Sequence, residues 1–166
     1  MRHFRNLEAT TDRAAVFALL TAAQDYYHLW LGRAPAAAEV DEVFTDAPPG
    51  CDPAQSRRLG LWIGPDLCGV AELSFGFPTA QDAYLGLMIL HPKARGMGHG
   101  AAFLAHAEAL ARARGCTHLS LAVLQANPRG RAFWSRMGFA DTGLSRSHTE
   151  GTIPHTSHRL VKSLTP

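Results

Sequence analysis

The chain has 166 residues, 46% hydrophobic and 18% charged, with a formal net charge of +2. That length buries one substantial core rather than two, and the composition is globular rather than disordered. So small a charge gives no reason to expect nucleic acid or an anionic membrane as the main partner. A single domain over residues 1–166 is therefore expected. Cys51, Cys68 and Cys116 are odd in number and lack a C-x-x-C spacing, which fits a reducing, cytoplasmic setting better than a disulfide framework. The opening Met-Arg-His-Phe-Arg-Asn has no apolar signal core, and no stretch is long enough to span a bilayer.

In chain order, a short strand is expected near His3 to Leu7, then an N-cap region at Thr10-Thr-Asp12. Val16, Leu19, Leu20 and Ala23 put one apolar stripe on the helix that follows. A second helix is expected from Pro35 to Phe44, closed by Ala47-Pro-Pro-Gly50. Leu59–Ile63 and Cys68–Phe75 read as a hairpin joined through Gly64-Pro-Asp66. In its second strand Ala71, Leu73 and Phe75 alternate with Glu72 and Ser74. Ala83 to Leu90 is nearly all apolar, as a strand covered on both faces would be. The next helix carries Phe103, Leu104, Ala107, Leu110 and Ala111 on one side and ends on Arg112, Arg114 and Gly115. Glu108 and Arg112, four apart, read as a solvent-side pair on it. Leu119, Leu121 and Val123 alternate in a further strand. Phe139–Thr142 and His158–Leu164 are expected to pair, with Ser145–Thr156 as a long loop or irregular hairpin between them. The order is that of an α/β layer fold with a mixed sheet.

The chemistry concentrates at the turn after the apolar strand, Arg95-Gly-Met-Gly-His-Gly-Ala101. A helix N-terminus has backbone N–H groups without helical partners and a partial positive charge, which together favour a phosphate. Gly96, Gly98 and Gly100 clear the approach to those groups, and Arg95 adds a guanidinium matched to phosphate oxygens. No Lys-Ser or Lys-Thr follows, so this is not a P-loop. The third glycine also comes one residue too early for the dinucleotide fingerprint. A second motif begins at Asn127, an N-cap followed by Pro128 at the first helical position, and runs through Phe133 and Trp134 to Gly138-Phe139.

Arg95, Gly98 and Gly100 fill the fixed positions of [RQ]-x-x-G-x-[GA]. Together with Asn127, the aromatic at plus seven and the closing Gly-Phe, they resemble the GNAT superfamily of acetyl-CoA-dependent N-acyltransferases. The alanine of the second motif is displaced, to Ala132. The resemblance implies a single GNAT-like domain with a mostly antiparallel mixed sheet flanked by helices, and acetyl-CoA as cofactor. It places the pantetheine arm along Met88, Ile89 and Leu90. The pyrophosphate would lie on the N–H groups of Arg95, Gly96, Met97, Gly98, His99, Gly100 and Ala101, and Asn127, Phe133 and Trp134 would flank the thioester.

The expected reaction is attack of a primary amine of a small molecule on that thioester. A backbone N–H near Ile89 or Leu90 would serve the developing oxyanion. The amine arrives protonated and needs a base. Glu72 lies on the strand beside Met88–Leu90 and is the leading candidate, against a reading in which it simply faces solvent. Tyr84, Asp82 and His91 are weaker candidates. The acceptor pocket of this architecture is built largely by the first two helices and their loop, where Asp25-Tyr26-Tyr27-His28-Leu29-Trp30 is unusually aromatic. Tyr26, Tyr27 and Trp30 could line a slot for a cation, with Asp25 beside it, or fill the core.

Trp134 stands where many members of the superfamily carry a tyrosine that protonates the departing thiolate. Indole N–H donates but is no usable acid, so Trp134 is expected to act as a packing wall. The histidines, among them His99, His106, His155 and His158, match no metal-ligand spacing, and no metal is expected. The chain is expected to act as a monomer or homodimer. The rival readings are an acyl-CoA-binding sensor without efficient turnover, favoured by Trp134, and a modifier of protein N-termini, which would need an open, charged acceptor groove.

Overall fold

The computed structural model describes residues 1–149 and 151–166. The strands are β1 (Arg2–Asn6), β2 (Arg57–Ile63), β3 (Asp66–Phe75), β4 (Asp82–Leu90), β5 (His118–Leu124), β6 (Ala140–His148) and β7 (His155–Ser163). They form one sheet in the order β1-β2-β3-β4-β5-β7-β6. Every neighbouring pair is antiparallel except β4–β5, which is parallel. This is the mixed, mostly antiparallel sheet expected.

The helices are α1 (Arg13–Ala22), α2 (Gln24–Leu31), α3 (Ala37–Thr45), α4 (His99–Ala113) and α5 (Pro128–Arg136). Two hydrophobic cores lie on opposite faces of the sheet. Val16, Leu19, Leu20, Tyr27, Val40 and Val43 of α1–α3 pack on Val70 and Ile89. Phe103, Leu104, Ala107 and Trp134 of α4 and α5 pack with Ala71, Leu73 and Leu85. Neighbouring residues of β3 thus serve different cores, as the two-residue period of a strand requires. β3 and β4 are covered on both faces for this reason.

Several expectations are corrected. Residues 25–30 lie within a helix, α2, which breaks from α1 at Ala23. Asp12 makes no side-chain cap on α1; its carboxylate takes two hydrogen bonds from Arg5, at 2.7 and 2.8 Å, and one from the Glu8 N–H at 2.8 Å. Of the two readings of Ser145–Thr156, a long loop or an irregular hairpin, the structure has the hairpin, with strand through His148 and again from His155. Within that connection the Thr152 N–H donates to the Leu31 carbonyl at 2.8 Å, so the turn closes on the end of α2. Glu108 is buried rather than solvent-facing, because Lys162 on β7 reaches across to it at 2.5 Å, alongside Arg112 at 3.4 Å. Among the described residues no helix is long and apolar enough to cross a membrane.

Candidate active site

The site begins with a mismatch between two strands. β4 and β5 pair only over Asp82–Leu85 and His118–Leu121. Beyond that point they share no register, and residues 86–90 keep the backbone edge that faces β5 without a strand partner. The divergence opens a cleft of about 780 Å³. One wall is Leu85–Leu90, the other is Leu121–Leu124 and the start of α5, and the glycine turn closes one end.

At that end a 3₁₀ turn, Pro92–Ala94, leads into Gly96 and Gly98, whose φ angles are +73° and +78°. Backbone of that kind is open to glycine and strained for a branched residue. A Cβ at either position would meet nothing within 4 Å, so both face open space rather than protein. Helix α4 starts behind them, and its first bonded N–H is that of Ala102, to Gly98, at 3.2 Å. The N–H groups of His99, Gly100 and Ala101 are left without helical partners. Gly100 is needed for a different reason: a Cβ there would stand 3.3 Å from the Phe133 ring. Arg95 is anchored by its Nε–H on the Leu90 carbonyl at 3.1 Å. An unpaired strand edge ending in an N–H cradle with an arginine beside it fits an extended molecule with a diphosphate at one end, as acetyl-CoA is.

A second, smaller cavity of about 140 Å³ lies on the α1–α3 side of the sheet. Tyr26, Tyr27 and Trp30 form one wall, with ring centroids 5.4–6.1 Å apart. Glu39, Glu42, Val43 and Asp46 from α3 and its end form another, and Glu72 lies at the base. The two cavities share Tyr26, Gly86 and Leu87 as lining residues. Gly86 is the extra residue of a β-bulge, since Glu72 pairs with Leu87 while the next residue, Leu73, pairs with Leu85. Bulges of this kind re-aim side chains beside functional sites. A Cβ on Gly86 would lie 3.2 Å from Glu72 Oε2, so the glycine makes the room that this carboxyl occupies.

Glu72 is 8% exposed. It sits on the β3 face of Val70, which α1–α3 cover, and that covering is why it does not reach solvent. Burial pushes its carboxyl up to about 8, with Arg58 opposing and Asp46 and Glu42 adding to the rise. Arg58, its cross-strand neighbour on β2, has Nη1 4.0 Å from Oε2. That guanidinium is itself pushed down by burial, and its Nη1 makes no hydrogen bond. The phenol of Tyr26 is pushed up to about 12 by burial and then by the charge of Glu72. It therefore stays protonated across the ordinary pH range.

The other expected residues fall into two groups. Met88, Ile89, Leu90, Ala101, Asn127, Phe133 and Trp134 all line the large cleft. Asn127 caps α5 by accepting the Gly130 N–H at 3.0 Å. Trp134 is 9% exposed and packs edge-on against Phe133 and Phe139, at 4.8 and 5.4 Å. Asp25 lines the large cleft and not the aromatic cavity, where it bonds Arg95 at 2.6 and 3.1 Å. Tyr84 lines neither cavity and packs on Phe77. Met97 and His99 contribute backbone to the turn, and their side chains line neither cavity. Asp82 receives the Thr79 N–H far along β4, and His91 caps the 3₁₀ turn.

Gly86, Arg58, Glu42 and Asp46 were not anticipated. A glycine inside an apolar strand is itself a bulge signal. Glu39, Glu42, Val43 and Asp46 follow the i, i+3, i+4, i+7 spacing of one helix face. Arg129 and Arg136 of α5 also line the cleft. Among the described residues no group of three or more His, Cys, Asp or Glu could hold a metal ion.

Comparison with known proteins agrees with this geometry. The streptothricin acetyltransferase of Streptomyces lavendulae is 34% identical over 119 residues, which cover 72% of this chain and 62% of that protein. The chain thus matches less than two thirds of that relative's length. An acetyltransferase from Thermus thermophilus superposes with a TM-score of 0.75 at 22% identity, covering 98% of this chain and 97% of its own. The PaiA N-acetyltransferase of Thermoplasma acidophilum, solved in complex with coenzyme A, gives 0.69 at 17% identity, covering 98% and 99%. The family model described as the acetyltransferase (GNAT) family matches residues 16–139, most of the chain, and the protein belongs to that family.

Proposed function

We propose that the protein transfers the acetyl group of acetyl-CoA to a primary amine of a small molecule, by direct attack of the amine on the thioester. The observation that carries this reading is the meeting of two differently built cavities at the Gly86 bulge, with the Glu72 carboxyl over it. Acetyl-CoA, when bound, supplies an acyl group activated as a thioester. The chain's own residues do the rest. The N–H groups of the glycine turn and Arg95 hold the diphosphate end, and the open edge of β4 orients the arm. Backbone N–H groups of that edge, near Ile89 and Leu90, can donate to the carbonyl oxygen. Glu72 takes the proton from the incoming ammonium at its carboxylate, and the aromatic walls exclude water around it. Trp134 closes the cleft as a wall. Similarity to a protein named for acetylating streptothricin supports an amine acceptor, and the unpaired thiols of Cys51, Cys68 and Cys116 suit action in the cytoplasm.

A second reading, an acyl-CoA-binding sensor, is favoured by one observation: an indole stands in the cleft wall at Trp134 in place of a phenol. Release of thiol from acetyl-CoA, measured across a panel of primary amines, separates the two. Amine-dependent release with acetylated product supports transfer. Tight cofactor binding with no release from any amine supports the sensor.

A further inference from the structure

We infer that Arg58 is the counter-ion of Glu72: its spare guanidinium nitrogen receives the carboxylate that forms there, which makes Arg58 a positioning residue for acetyl transfer. Its part in the reaction rests on the proposed transfer with Glu72 as base, whereas the pairing is read from the packing. Arg58 on β2 and Glu72 on β3 are cross-strand partners, so their side chains leave the sheet on the same face, the one that α1–α3 cover. Both are buried. The guanidinium is tethered rather than loose, because Nη2 donates to the Asp46 carbonyl at 2.5 Å, just past the end of α3. Nη1 is enclosed, donates to nothing, and stands 4.0 Å from Glu72 Oε2.

A buried donor without an acceptor destabilises a fold, and a charged one does so most. Here the acceptor is near but about 1 Å beyond hydrogen-bond length. That spacing suits a carboxyl that is neutral for part of its cycle. While it holds its proton it forms no ion pair, and once ionised it is drawn onto the waiting N–H. The other groups facing Glu72 either add negative charge or carry none. Glu42 and Asp46, from α3 and its end, raise its carboxyl further, and Glu39 is taken up by Arg33 at 2.8 and 3.1 Å. Tyr26 and Tyr27 of α2 and Tyr84 of β4 are phenols that burial keeps neutral. Gly86 and Leu87, at the β4 bulge, do not titrate. Arg13, the charged residue of α1, is exposed and pairs with Asp41. Among the described residues, Arg58 is thus the cation whose charge favours ionised Glu72. A carboxyl that could not ionise could not take the proton of an ammonium.

The test reads Glu72 directly, by carbon-13 NMR of the side-chain carboxyls in glutamate-labelled protein titrated with pH. The Glu72 signal is identified by its loss in Glu72→Gln. Its midpoint should lie near about 8 in the wild type. Arg58→Met, which keeps much of the bulk and removes the charge, should raise the midpoint by about one to three units. Arg58→Lys keeps a charge and should return most of that shift, which a purely structural role for Arg58 would not require. Should Arg58→Met not fold, Arg58→Gln, which keeps a donor for the Asp46 carbonyl, is read in the same way. A midpoint unmoved by loss of the charge, or moved as far by lysine as by methionine, would overturn the inference. The pH profile of kcat/KM, from thiol release with acetyl-CoA and a primary amine, separates this from the transfer reading. Its rise should move with the NMR midpoint in Arg58→Met, with the KM for acetyl-CoA unchanged. A midpoint that moves while the rate profile does not keeps the ion pair and rejects Glu72 as the base. An unmoved midpoint, with the rise still abolished in Glu72→Gln, rejects Arg58 and keeps the base.

Discussion

The two ends of this site are built from different materials. The proposed diphosphate end is made of backbone: two left-handed glycines, a helix start and one anchored arginine within a few residues of sequence. The proposed amine end is made of side chains from α2, α3, β3 and the β4 bulge, brought together only by folding. A backbone cradle holds a charge pattern common to many ligands, so its job is affinity. A pocket of side chains can be re-lined without disturbing that cradle, so its job is choice and chemistry. Substitutions at the two ends should therefore fail in different ways.

Removing the proposed base should do most. Glu72→Gln is expected to lower kcat/KM by about 10²–10⁴ while acetyl-CoA affinity by calorimetry stays intact. A loss of less than about threefold would return Glu72 to a structural role. The same variant carries a stability signature. A carboxyl raised from 4.5 to about 8 in the fold keeps its proton there after the unfolded chain has lost it. Wild-type stability from this group is thus full below pH 4.5 and declines as pH rises through about 8. Melting curves at acid and alkaline pH should show Glu72→Gln gaining on the wild type as pH rises.

Trp134 belongs to both the cleft wall and the core. Trp134→Ala should cost about 3–5 kcal/mol in chemical denaturation, through the cavity it leaves. Trp134→Phe should keep most of kcat, and Trp134→Tyr should gain little. A gain of about a hundredfold in the tyrosine variant would show that the wall lacks an acid it needs, and would favour the sensor.

Gly86→Ala probes the seam between the two ends. Its Cβ would crowd Glu72 Oε2 at 3.2 Å. Misplacing a catalytic group by this kind of shift costs up to about 10² in kcat/KM, with the cofactor bound as before. At the diphosphate end, Arg95→Ala should weaken acetyl-CoA by about 1.5–3 kcal/mol, and Gly98→Val should do at least as much harm. Calorimetry giving wild-type affinity in both variants would move the cofactor elsewhere.

How legible each end is in the sequence follows from the same contrast. Arg95, Gly98, Gly100 and Asn127 are local features whose roles depend on their immediate neighbours, and the structure lines the cleft with all four. The strands near the site were legible as alternation, and α4 and α5 as a stripe and a cap. The acceptor end was legible in part. Tyr26, Tyr27 and Trp30 stand out by composition, yet no separate helix is expected for them, because a single residue, Ala23, parts the end of α1 from the start of α2. Asp25 looks like a partner for an amine, but helical geometry points it at Arg95 instead. Glu42 and Asp46 look like ordinary surface charges, since only the fold brings α3 over Glu72. The tail from Ser145 to His148 lacks the apolar alternation of a strand because both faces of β6 are exposed there.

The central claim is that a buried carboxyl at the junction of the two cavities accepts the proton of the attacking amine. Its most direct test is the pH dependence of kcat/KM, measured by thiol release, for the wild type beside Glu72→Gln. The wild type should rise through about pH 8, where Glu72 loses its proton. The variant should lack that rise and show only the amine's own, near pH 10. Superimposable profiles, with the rise at pH 8 retained in Glu72→Gln, would contradict the claim.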